Sequence, residues 1–155
     1  MSFLNNSNRI PEIYGLGIAV ALMGYFLIMK AIGLSHVVEL RLVNLAILMI
    51  GVYLALRKFK KSHEDRLNYF RALITGVATG AIGSSVFAVF LFIWMKVDPA
   101  LMQAIIENDP MGRYLNAYIA AFIVALEGVF SGLLVTFILI NYVTTDEISA
   151  SVDNN

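Results

Sequence analysis

Four long apolar runs, separated by short polar segments, set the pattern of this chain. None alternates apolar and polar residues as a half-buried strand does, and each is far longer than a strand of about 4–8 residues. A helix needs about 20 largely apolar residues to cross a hydrocarbon core about 30 Å thick. On that measure the runs predict spanning helices over about 13–34, 40–56, 70–95 and 114–142. The first carries one charge, Lys30, near its end, where a long side chain can reach water. Only Arg9 precedes it as a basic residue and no A-x-A site follows, so a retained span is expected rather than a cleaved leader. The second is short, with Arg41 and Asn44 near its start, and the fourth holds a single charge, Glu127.

The connections carry their own signals. Ser62 followed by Asp65 resembles a capping box, which predicts that the third helix starts near His63. Asp98-Pro99 and Asp109-Pro110 each read as an N-cap followed by proline at the first helical position. Between them Leu101, Met102, Ile105 and Ile106 share one face, as in a short helix lying along the membrane interface. The tail from Thr144 to Asn155 is polar and is expected to fray.

Composition narrows the class. Of 155 residues, 59% are hydrophobic and 14% charged, with 11 basic and 11 acidic residues and no net charge. The absence of a basic excess argues against a nucleic-acid partner. The chain has no cysteine, which excludes disulfides, thiolate metal sites and thiol chemistry. His36 and His63 are isolated, and Glu107 with Asp109 offers too few oxygens for calcium. No haem pair, phosphate-binding loop or acyl-transfer triad is present, so the expectation is no cofactor, no metal and no enzyme. The expected fold is all-α: an integral membrane four-helix bundle, one domain, with a short periplasmic interfacial helix.

Charge distribution orients it. The loop between spans two and three, with its flanks, holds Arg57, Lys58, Lys60, Lys61, Arg66 and Arg71. Cytoplasmic loops are enriched in Lys and Arg. Placing this loop inside puts both termini in the cytoplasm and sets seven basic residues, Arg9 included, against four outside: Lys30, Arg41, Lys96 and Arg113. Arg57, Lys58, Lys60 and Lys61 also suit contact with anionic lipid, and docking of a cytosolic partner is the alternative.

Helix rise places the polar residues of the spans. Anchored at Glu12, Arg57, Arg71 and Tyr142, a rise of about 1.5 Å per residue puts Tyr25, Asn44 and Ser84 about 4–5 Å beyond the midplane. Glu127 falls about 7–8 Å beyond it and Arg41 about 9 Å. Tyr25, Arg41, Asn44, Ser84, Ser85 and Glu127 thus form one polar layer. A carboxylate in hydrocarbon is costly and needs a partner or a proton. Three readings stand: a buried clamp with Arg41 that fixes packing, a role in moving an ion or proton or holding a polar ligand, and a contact with another subunit or a lipid headgroup.

Small residues recur at a spacing of four. Gly76 and Gly80 lead to Ser84 on the third span, and Gly128 and Gly132 lie on the fourth with Ala117, Ala121 and Ala125. Gly17 and Ala21 repeat the spacing on the first. Such stripes let helix backbones approach closely, either within the bundle or between chains.

The stretch from Glu39 to Trp94 carries a family pattern. Glu39 opens the second span, Arg57-Lys58-Phe59-Lys60 closes it, and Asn68-Tyr69-Phe70-Arg71-Ala72-Leu73 leads into a glycine-rich third span beginning at Gly76. With Gly132-Leu133-Leu134, the arrangement resembles a family of small four-span membrane proteins, common in Bacteroidota, classed only as a domain of unknown function. The resemblance implies a bacterial inner (cytoplasmic) membrane and four helices, and no known activity. The function expected is a non-catalytic accessory or scaffolding subunit, with membrane lipids and other membrane subunits or a second copy as partners. The alternative is an ion, proton or small-solute pathway that uses Glu127.

Overall fold

The computed structural model describes residues 9–33, 41–62, 69–108 and 111–152, without the side chains of Arg41, Ser62 and 142–152. These residues form α1 (Ile10–Ala31), α2 (Arg41–Ser62), α3 (Tyr69–Val97), α4 (Pro99–Asn108) and α5 (Ala117–Val152), with a 3-10 turn at Gly112–Tyr114. The described part is all-α, and α1, α2, α3 and α5 are each long and apolar enough to cross a membrane. At 10 residues α4 is too short to do so.

Helix α3 is the axis of the bundle and packs against every other helix, while α2 also touches α1 and α5. Glycine decides how closely. A Cβ at Gly76 would stand 2.3 Å from Thr136 Cγ2, one at Gly80 3.0 Å from the Cα of Gly132, and one at Gly128 2.0 Å from Ser84 Cβ. These three pairs form one antiparallel seam between α3 and α5, so the predicted stripes on these helices face each other within the chain. On the other flank Ile18 of α1 fills the hollows left by Gly83 and Gly51. In lipid there is little hydrophobic gain from burying one apolar helix against another, so such close contacts carry the association. Gly17 does not take part: nothing lies within 4 Å of its would-be Cβ, and Ala21 is exposed. It is Gly15 that meets α3, at Ile82 and Thr79.

The helix ends depart from expectation in several places. α1 starts at Ile10 with Pro11 in its first turn and ends at Ala31, and Gly33 just past its cap has a φ of +79°, the left-handed conformation that closes a helix. α2 runs on to Ser62, so the cluster Arg57, Lys58, Lys60 and Lys61 is helical rather than part of a loop. Phe59 is buried in the core, and this added turn continues the packing surface of α2. Ser62 therefore closes α2 instead of opening α3. The start expected near His63 lies outside the described residues. Asp109-Pro110 lies outside them too. α5 begins at Ala117, not Tyr114, with the Asn116 carboxamide oxygen accepting the Ile119 N–H at 2.9 Å as its cap. It continues to Val152, so the tail expected to fray is helical that far.

Candidate functional site

Ser84 faces Gly128, which sets Glu127 level with Ser84 and Ser85. Sharing a level does not make them a network. Ser84 is buried and its hydroxyl donates to the Gly80 carbonyl of its own helix at 2.5 Å. Ser85 is exposed, and Tyr25 and Asn44 are half-buried. The Asn44 side-chain oxygen is buried without a hydrogen-bond partner among the described residues. The side chain of Arg41, the expected partner of Glu127, lies outside the described residues.

Glu127 stands about 100° round α5 from Gly128, the helical step per residue. That turn carries it off the packed seam and leaves it exposed, with no hydrogen bond or ion pair to any described residue. Its surroundings on that side of α5 are large and apolar, including Phe130 at 64% exposure and Leu134 at 61%. Its segment is also the most apolar of the four candidate spans, with a mean hydropathy of 2.4. A carboxylate in such a setting, without a partner among the described residues, is costly.

The buried hydroxyls that sequence reading passed over behave like Ser84. Thr75 donates to the Arg71 carbonyl at 2.8 Å, Thr79 to Thr75 at 2.7 Å, and Thr136 to Gly132 at 2.6 Å. Each is satisfied one turn back on its own helix. The signal was present, because Thr136 extends the Gly128–Gly132 spacing by one more step of four.

A second cluster joins α1 to the α3–α4 corner. Lys30 forms an ion pair with Asp98, and its ammonium lies 4.5 Å from the centre of the Trp94 ring. Asp98 also caps α4, its other oxygen accepting the Ala100 N–H at 3.2 Å. The hydrogen bond from Lys30 holds the Asp98 carboxyl below its ordinary range. Trp94 packs edge-on against Phe26, at 6.1 Å between ring centres. Sequence reading found the cap and the reach of Lys30 separately; only the fold brings the two side chains together. At the opposite end of α2, Arg57 and Lys61 are exposed while Lys58 and Lys60 are half-buried around Phe59.

The sequence model of one family, described as a protein of unknown function (DUF4199), matches residues 13–109, more than half of the chain. The chain belongs to the DUF4199 family. No curated protein and no solved structure matches it. The matched stretch of this DUF4199 protein runs from within the first turn of α1 to just past α4 and includes Lys30, Trp94 and Asp98. Glu127 and the α5 half of the glycine seam lie beyond it.

Proposed function

We propose that this DUF4199 protein is a non-catalytic accessory or scaffolding subunit that assembles with other membrane subunits, or with itself, through the side of α5 that carries Glu127. The membrane is the bacterial inner membrane, with both termini and the basic end of α2 in the cytoplasm, as the distribution of Lys and Arg favours. The observation that carries the reading is the exposure of Glu127, without a partner among the described residues, in the most apolar of the four candidate spans. A neighbouring helix with a hydrogen-bond donor at that depth would satisfy it. A pathway for ions or protons needs polar groups that face one another, and the buried hydroxyls Ser84, Thr79 and Thr136 are each turned to their own backbone.

A photo-reactive residue in place of Phe130 tests this in native membranes. The expected result is a discrete cross-linked species that weakens when Glu127→Leu is added. Cross-links to lipid alone would overturn the proposal. Proton flux through vesicles of the purified protein, lost on Glu127→Gln, would decide for the pathway instead.

A further inference from the structure

A groove of about 400 Å³ opens at the α4 end of the bundle, between α4, the end of α3 and the start of α5. That size falls within the range of small-molecule sites, about 300–1,000 Å³. Its lining is divided by chemistry. Met102, Ile106 and Leu115 supply an apolar floor, and Lys96, Gln103 and Asn116 supply polar groups.

Those polar groups share a role. Lys96 is held over two rings, 4.8 Å from the centre of Tyr118 and 5.9 Å from that of Phe92, and no described carboxylate pairs with it. The contrast is with Lys30 at the same end of the bundle, which is neutralised by Asp98. Asn116 spends its oxygen on the cap of α5, which leaves its amide N–H groups to donate. Gln103 is exposed on α4. Depth completes the picture. Lys96 is one residue from the end of the α3 span and Asn116 directly precedes the α5 span, so both stand at the edge of the hydrocarbon. Phosphates of the lipid headgroups lie at that edge, and a lysine there is a natural anchor for them.

We propose that this groove binds one phospholipid molecule, with an acyl chain along Met102, Ile106 and Leu115 and the phosphodiester on Lys96, assisted by Gln103 and Asn116. The apolar floor and the Lys96 ammonium are both needed. Neither a soluble phosphate nor an uncharged hydrocarbon matches the whole site.

The test is native mass spectrometry of the delipidated full chain in mild detergent, titrated with phosphatidylglycerol. One lipid is expected to bind ahead of the rest. Lys96→Gln should weaken that first adduct by about tenfold, the scale of one charged hydrogen bond. Leu115→Trp, which fills the floor without changing charge, should weaken it too, while Arg71→Gln, exposed at the opposite end of α3, should leave it unchanged. Thermal melting confirms that each variant is folded. A statistical ladder of adducts with no preferred first lipid would overturn the proposal, as would a first adduct indifferent to Lys96→Gln. Displacement of the lipid by an equal concentration of glycerol phosphate would also overturn it, since the floor would then have no part.

Discussion

Gly80 and Gly132 meet backbone to backbone: a Cβ on the first would stand 3.0 Å from the Cα of the second, and a Cβ on the second 3.2 Å from the Cα of the first. One turn either way, a glycine on one helix receives a small side chain from the other, Thr136 against Gly76 and Ser84 against Gly128.

This seam gives the clearest prediction. Gly128→Ala places a methyl group on Ser84 and should lower stability by about 1–3 kcal/mol, the usual cost of overpacking. Ser84→Gly should recover much of that loss in the double variant, a coupling that a double-mutant cycle measures. Gly17→Ala, where the space is open, should be neutral or slightly stabilising. Unfolding in a mixed-detergent titration would read all of these.

The exposure of Glu127 separates an assembly contact from an internal clamp. Glu127→Gln and Glu127→Leu should leave the stability of the isolated chain within about 0.5 kcal/mol of wild type, as exposed substitutions usually do. Breaking a buried ion pair instead costs about 3–5 kcal/mol. A loss of that size in the same unfolding assay would place Glu127 in an internal pair.

The Lys30–Asp98 pair predicts an acid dependence. The folded carboxyl of Asp98 titrates below its ordinary value of 3.8, so its contribution is fully present above that pH. It is lost as the pH falls below about 4 and through the folded pKa. In melts recorded from neutral pH downward, Asp98→Asn should be less stable than wild type near pH 7 and converge on it in acid. Lys30→Met should also shift the emission of Trp94, the only tryptophan, because the cation leaves its ring.

Gly112 secures α4. A Cβ there would stand 1.8 Å from the Ile106 carbonyl oxygen, a backbone atom that cannot swing aside. Gly112→Ala should therefore loosen α4 from the bundle while the four long helices stay packed. Hydrogen exchange should rise across 99–108 and not across 69–97; a uniform rise would mean that α4 does not depend on this contact.

Much was legible in the residues alone. Length and hydropathy are additive along a segment, so the four candidate spans and the short α4 could be read without knowing any contact. The Asp98-Pro99 start of α4 follows from cap chemistry, which is also local. Partnership was decided only in three dimensions. Lys30 meets Asp98, Gly15 rather than Gly17 packs on α3, and Ser84 turns to Gly80 because the packing of the helices selects one face of each, and in an almost wholly apolar span the sequence marks those faces faintly. The glycine spacing announced that helices would touch; the antiparallel fit of α3 on α5 determined which ones, and in doing so turned Glu127 outward.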